Sequence, residues 1–348
     1  MIKCGVIGLG KIGKVRIKAI EKNSNFLLTK IHDPKIQLDN KKELHVETVQ
    51  EMFESDLDAI FICAFNDVAA EYSIKAIQKG IHVFCEKPPA RNIKELNLVK
   101  ATSDKNPNVL LKYGFNHRSH YSVMEAKKLI DKGELGKLLW MRGVYGKAGS
   151  LDYHKNWRNY KKYSGGGILI DQGIHMLDLI SFFSNKKFEE INSLITTAYW
   201  NIESEDNAFV TMRSSDNLIA SFHSSATHWK HKFLLEMCFE EGYLNLDGIL
   251  SGTRSYAPEK LIIGRREFED VTFAMGKPKE SIVYFENDHS WNLEVDEFLN
   301  NNKGLVVAEV ELKTASQKIV LPDWIAEEVT GVNKYYNLSL ANNPFNSW

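Results

Sequence analysis

The chain has 348 residues, 43% hydrophobic and 26% charged, with a formal net charge of −1. This composition fits a globular protein with a large core, and at roughly 150 residues per domain it predicts two domains. The near-neutral balance presents no field for a nucleic acid or an anionic membrane, and no apolar run approaches the roughly 18 residues of a membrane span.

Met1-Ile2-Lys3-Cys4-Gly5-Val6-Ile7 enters a strand pattern directly, without the charged, apolar and cleavage regions of a secretion signal. Cys4, Cys63, Cys85 and Cys238 form no CxxC pair and sit in apolar, strand-like runs. They read as small hydrophobes in a reducing compartment, so a cytoplasmic protein is expected.

Residues 2–7 predict a buried parallel strand, and a helical pattern runs to about Ile20. Between them lies Gly8-Leu9-Gly10-Lys11-Ile12-Gly13, a G-x-G-x-x-G in the strand-to-helix context that dinucleotide binding requires. Gly8 permits the turn, Gly10 admits a pyrophosphate to the backbone, and Gly13 lets helix and strand pack closely. Lys11 and Ile12 belong to the same predicted cofactor turn. The next strand, Phe26 to Ile31, ends at His32-Asp33-Pro34. Asp33 stands about 20 residues past the glycines, where an acid bonds the adenosine ribose and repels a 2′-phosphate. NAD is therefore expected over NADP, with Lys35 moderating the preference; the alternative is a turn Asp before Pro34.

Residues 59–64 predict another strand, with Ala64 and Asn66 as cofactor contacts at its carboxyl end. A helix over 67–79 ends at Gly80. The strand 81–85 ends in Glu86-Lys87-Pro88-Pro89, a charged pair where open α/β sheets bind ligands. A cis Pro88 is expected to aim Lys87, whose pKa a nearby cationic nicotinamide would lower for acid–base work. The plain alternative is an exposed lysine before a Pro-Pro turn. Residues 108–115 predict the last strand of this sheet, leading into Asn116-His117-Arg118-Ser119-His120.

A helix over 121–132 and a strand over 137–145 precede a polar, aromatic-rich loop, 146–164, that holds Lys147, Tyr153, Trp157 and Arg158. Loops of that length are usually functional: Trp and Tyr offer flat faces to sugars or bases, and Arg158 suits a carboxylate or phosphate. An oligomer interface is the alternative. Gly165-Gly166-Gly167 then opens an apolar segment carrying Asp171, His175 and Asp178. If helical, it places these three on one face. A carboxylate beside an imidazole in apolar surroundings suggests sheltered proton chemistry, or a core histidine held by an Asp. Runs over 188–200, 207–213, 217–225 and 232–240 predict a meander-like antiparallel sheet, covered by helices on one face and open on the other. His228-Trp229-Lys230-His231 joins two of its strands and either reaches a neighbour or caps the sheet. Residues 289–302 and 307–330 look helical.

In order and spacing, Gly8-x-Gly10-x-x-Gly13, Glu86-Lys87-Pro88, Gly165-Gly166-Gly167 and Asp171-x-x-x-His175-x-x-Asp178 resemble the Gfo/Idh/MocA oxidoreductases, relatives of glucose–fructose oxidoreductase and inositol dehydrogenase. The resemblance implies an α/β fold: a Rossmann domain over 1–118, and an α+β domain over 119–348 with a large, mostly antiparallel open-faced sheet. It implies that Lys87, Asp171 and His175 surround the substrate carbon, with Glu86 and Asn116 near the cofactor. It also implies that Arg118, Trp157 and Arg158 contact substrate, and that the open sheet face builds a homodimer or homotetramer. Resemblance alone, in 113–118, Trp157-Arg158 and 166–175, favours a nucleotide-linked sugar of surface-polysaccharide pathways. The expected chemistry is hydride transfer between NAD and a sugar carbinol. His175 acts as base, Asp171 orients it or holds a neighbouring hydroxyl, and Lys87 stabilises the alkoxide or relays the proton. Dehydrogenation of a free sugar or inositol, NAD-dependent glycoside cleavage, a non-catalytic NAD-binding regulator, and a metal site on Asp171, His175 and Asp178 remain as alternatives. No metal is expected.

Overall fold

Buried apolar strands alternating with helices build the first third of the chain. The structure is a computed structural model that describes residues 1–267 and 276–298. In chain order it has β1 (Ile2–Ile7), α1 (Lys11–Lys22), β2 (Phe26–His32), α2 (Val49–Glu54), β3 (Ala59–Ile62), α3 (Asn66–Gln78), β4 (His82–Glu86), α4 (Ile93–Asp104) and β5 (Leu111–Gly114). The strands form one parallel sheet in the order β2-β1-β3-β4-β5. Val6, Ile60, Phe61, Val83 and Phe84 are buried, which is why these strands read as continuous apolar runs rather than alternating ones. The strand order reverses between β1 and β3, and the glycine turn sits there, at the carboxyl ends where such sheets take ligands. Helices α2 and α4 lie outside the expected elements. Each starts on a side-chain cap: Thr48 Oγ1 accepts from the Glu51 amide at 3.1 Å and Asn92 Oδ1 from the Glu95 amide at 3.1 Å.

Next come α5 (Tyr121–Asp131), β6 (Leu138–Gly146), α6 (Lys161–Ser164), α7 (Ile174–Ser184), β7 (Phe188–Thr196), β8 (Asn207–Ser214), β9 (Ile219–Ser225), β10 (Lys232–Phe239), β11 (Gly242–Asp247), β12 (Glu259–Arg265), β13 (Glu280–Phe285) and α8 (Ser290–Phe298). The second sheet has the order β13-β12-β11-β10-β6-β9-β8-β7. It is two meanders, β7 to β9 and β10 to β13, joined by β6, which runs parallel to β9 and antiparallel to β10. The expected meander is thus present but longer: β11, β12 and β13 extend it beyond Phe239.

Alternation along β8 and β10 buries one face. Met212, Phe222, Leu235 and Met237 pack there with Val123 and Ala126 of α5 and Leu179 and Phe183 of α7. The other face leaves Trp140, Leu194, Phe209 and Ile219 exposed, paired across strands as Trp140–Ile219 and Leu194–Phe209.

Met1–Glu294 form one compact unit and Val295–Trp348 a second, of which only 295–298 are described. The helix expected over 307–330 lies outside the described residues. Among the described residues, no helix is long and apolar enough to cross a membrane. All of the cysteines are unpaired; Cys4 and Cys85 are buried, Cys63 and Cys238 partly so.

Candidate active site

The glycine turn has the form that the motif requires. Gly8 takes φ +90°, and a Cβ there would lie 2.5 Å from the Cys63 carbonyl oxygen. A Cβ on Gly13 would fall 1.8 Å from the Gly8 oxygen, so any side chain would push α1 off the turn. Over Gly10 a Cβ would meet nothing within 4 Å, which leaves open space against the backbone at the start of α1. A phosphate fits there, against helix N–H groups and the positive end of the helix dipole. Asp33 ties this turn to β2: its Oδ2 accepts from the Leu9 amide at 2.8 Å, and its Oδ1 from Lys35 and Ile36 at 2.8 and 2.9 Å. Both readings of Asp33 are compatible with this position, since each carboxylate oxygen can accept again.

One cavity of about 590 Å³ is lined by Gly10, Lys11 and Ile12 and also by Ala64, Asn66, Glu86, Lys87, Asn116, Trp157, Arg158, Asp171 and His175. Glu86 and Lys87 turn to different partners. Glu86 accepts from the buried Arg16 of α1 at 2.6 Å, so its carboxylate is committed to the fold. Lys87 Nζ donates to the Asp171 carbonyl oxygen at 2.6 Å and lies 3.7 Å from Asp171 Oδ1. The Lys87–Pro88 bond is cis. Asn66 Nδ2 donates to the Ser164 carbonyl at 2.9 Å, which fixes the loop end beside β3. Trp157 stacks on Phe65, centroids 4.3 Å apart, and Arg158 lies over Trp157.

Asp171 sits in a π-helical turn (Leu169–Gly173) that precedes α7. This wider turn shifts the phase of the segment, so the α-helical spacing expected between Asp171 and His175 does not hold. The Asp171 carboxylate faces three cations instead: Lys147 at 2.8 Å, Arg158 at 3.1 Å and Lys87 at 3.7 Å. It makes no hydrogen bond to His175, whose buried Nδ1 has no partner among the described residues. Asp171 therefore does not orient His175. The ring that does lie against His175 is His117, stacked at 3.8 Å.

Two residues of the sequence reading lie elsewhere. Arg118 binds Asp178 through Nε at 2.8 Å and Nη2 at 2.5 Å, with its guanidinium over Phe182, and neither partner lines the cavity. The pairing spends both side chains on joining the Asn116–Ser119 turn to α7. Arg118 is thus corrected from a substrate contact to a structural one. Asp171, His175 and Asp178 do not converge as metal ligands, since the two carboxylates face separate cations. Lys147, the nearest partner of Asp171, was visible only as one polar residue of the loop. Tyr145, Gln172, Ile249 and Trp291 also line the cavity, and no motif marked them.

The electrostatics follow from burial and pairing. Burial alone would raise the Asp171 carboxyl, but Lys147, then Lys87 and Arg158, hold it well below the usual carboxylate range. Burial lowers Lys87, with Asp171 opposing and Arg158 adding to the shift. Burial disfavours the Lys147 cation, yet Asp171 brings its pKa above the ordinary lysine value. Burial, then Lys87 and His120, push His175 well below 6.5.

Comparison with known proteins identifies the family and the fold. Residues 2–115 match the oxidoreductase family with an NAD-binding Rossmann fold, and residues 123–245 match the GFO/IDH/MocA C-terminal domain. The chain belongs to the GFO/IDH/MocA oxidoreductase family. A levoglucosan dehydrogenase of Pseudarthrobacter phenanthrenivorans is 33% identical over 147 residues, 41% of this chain and 37% of that one. A 2,7-anhydro-N-acetylneuraminate hydratase of Mediterraneibacter gnavus is 26% identical over 70% of this chain and 69% of its own. The fold is also that of the WlbA dehydrogenase of Bordetella pertussis, solved with NADH and UDP-GlcNAcA, with a TM-score of 0.66 and 21% identity over 71% of this chain and 74% of that one. The match to the first of these relatives spans well under half of its length.

A base with a lowered pKa stays unprotonated down to lower pH. Sugar oxidation that uses neutral His175 should hold its kcat/KM as pH falls past the ordinary histidine value of 6.5 and decline only below it. If charged Lys87 stabilises the alkoxide, the alkaline limb should lie below the ordinary lysine value of 10.5. An acid limb at or above 6.5 in a pH–rate profile would remove neutral His175 as the base.

Proposed function

We propose that the protein is an NAD-dependent dehydrogenase acting at a carbinol carbon of a nucleotide-linked sugar. One observation carries the redox part: a single cavity is lined both by the glycine turn of a Rossmann sheet and by Lys87, Asp171 and His175. In this reading Gly8, Gly10, Lys11, Ile12 and Gly13 hold the pyrophosphate, Asp33 the ribose, and Ala64, Asn66 and Asn116 the rest of the dinucleotide. Asp33 favours NAD over NADP. Bound NAD supplies the hydride acceptor. His175 takes the proton of the substrate hydroxyl while the carbinol hydrogen leaves as hydride, and the C–O bond becomes a carbonyl. The Lys87 ammonium stabilises the oxygen as negative charge develops, and Asp171 fixes that ammonium. Arg158 and Trp157 receive the sugar and its charged substituent.

The nucleotide-linked substrate is supported by the likeness to WlbA, solved with UDP-GlcNAcA, and by an exposed edge of Arg158 suited to an anion. The levoglucosan dehydrogenase relative favours a second reading, dehydrogenation of a free sugar. In either reading residues 1–118 serve the cofactor and 119–348 the substrate and a second copy of the chain. The apolar row Trp140, Leu194, Phe209 and Ile219 is the proposed dimer or tetramer surface. Sedimentation should show a homodimer or homotetramer; a monomer at micromolar concentration would remove that surface from the account.

The direct assay is nicotinamide absorbance with NAD and a panel of nucleotide sugars, free sugars and inositols. A rise is expected with nucleotide sugars, and Lys87→Ala should depress turnover by roughly 10²–10⁴ while NAD binding persists. Turnover of free sugars alone would select the second reading. Equal turnover by the variant would take Lys87 out of the chemistry.

A further inference from the structure

His117 lies in the turn Asn116–Ser119 after β5. Its ring faces that of His175, with centroids 3.8 Å apart and planes 18° from parallel. Both residues are buried, at 6% and 4% exposure. The edges of the His117 ring are held on both sides: Nδ1 lies 3.1 Å from Asn116 Oδ1, and Nε2 lies 3.1 Å from the Tyr145 hydroxyl.

The tautomer follows from the next bonds outward. Asn116 Nδ2 donates to Ser290 Oγ at 3.2 Å, and Ser290 Oγ donates to Asp288 Oδ1 at 2.6 Å. Asn116 therefore turns its carbonyl oxygen, which only accepts, toward His117. His117 carries its proton on Nδ1 and leaves Nε2 to accept from Tyr145.

A second proton has little to attract it. The groups around His117 are His175 from α7, Tyr145 from β6, Lys87 after β4, and His120 from its own turn at 5.7 Å between centroids. The nearby carboxylate of Glu259, on β12, is 2.9 Å from His120 Nδ1 and serves that ring instead. Burial first, then His175, His120 and Lys87, lower the His117 pKa well below the ordinary value.

We propose that His117 is a positioning residue: a ring of fixed tautomer, held at both nitrogens by Asn116 and Tyr145, on which His175 stacks, so that His175 keeps its aim and takes up its proton against an aromatic face. The assignment rests on the reading of His175 as the base. An imidazolium over a neutral aromatic face is stabilised, whereas one stacked against a second imidazolium is repelled.

The test separates this claim from the choice of substrate. Full-length protein labelled with ¹⁵N-histidine, with and without NAD, gives long-range ¹H–¹⁵N spectra in which each imidazole reports its tautomer and titration. His117, assigned by its loss in His117→Phe, should remain a neutral Nδ1–H ring from about pH 5 to 8. In His117→Ala the His175 titration should move, and in His117→Phe, which keeps a flat ring, it should stay near that of the native protein. With a turned-over sugar, His117→Ala should lower kcat by roughly 10- to 100-fold with little change in KM, and His117→Phe should restore most of it. An Nε2–H tautomer, a His117 titrating in that range, or equal effects of Ala and Phe on His175 would each overturn the proposal. Absence of turnover with every sugar would instead count against the dehydrogenase reading, because the spectra need no substrate.

Discussion

The site depends on one buried carboxylate. Asp171 draws Lys147 from the end of β6, Arg158 from the aromatic loop and Lys87 from the end of β4 onto a single group. Taking a carboxylate out of water costs several kcal/mol, so Asp171 remains ionised only because these cations surround it. The dependence is mutual: without Asp171, three positive groups would share a sheltered cavity with no counter-charge. The same contact joins the end of a strand of the parallel sheet to the end of β6 in the large sheet.

A second buried network steadies the other side of Lys87. Arg16 on α1 is fully buried between the rings of Phe84 and Trp291, bound to Glu86 at 2.6 Å and also to Glu294. Glu86 is thereby committed to the helix that follows the glycine turn, and its neighbour Lys87 is left to the cavity. Burial pushes Glu294 up in pKa despite Arg16. The Glu-Lys sequence thus divides its labour by direction: one side chain anchors α1, the other faces Asp171.

Much of this was legible in the sequence wherever a local pattern has a local cause. The glycine spacing, the apolar strands and the alternating strands each report a short-range constraint, and β1 to β10 lie close to their expected positions. Strands β11 to β13 were not anticipated, although β11 alternates buried and half-buried residues as clearly as β10. Lys87, Asp171, His175, Trp157 and Arg158 stood out because the motifs and the aromatic loop carry them, and all five line one cavity. The partners of Asp171 were not legible. A helix at 3.6 residues per turn predicts an Asp171–His175 pair, and only the π-helical turn, which no residue type marks, turns the carboxylate to Lys147. Arg118 misled for a related reason: its chemistry suits a substrate anion, but Asp178, seven residues beyond Asp171, satisfies it first. His117 was in view inside Asn116-His117-Arg118, yet its stack on His175 joins residues far apart in the chain.

The measurement that tests this account most directly is the stability of Asp171→Asn, by urea unfolding, as a function of pH. Removing one partner of a buried ion cluster costs about 3–5 kcal/mol, and the variant should lose about that much at pH 7. Because the native pKa of Asp171 is depressed, its contribution is present above the unfolded value and is lost as pH falls, so the difference should narrow only below about pH 4. A variant as stable as the native protein at pH 7 would contradict the claim that this carboxylate holds the site together.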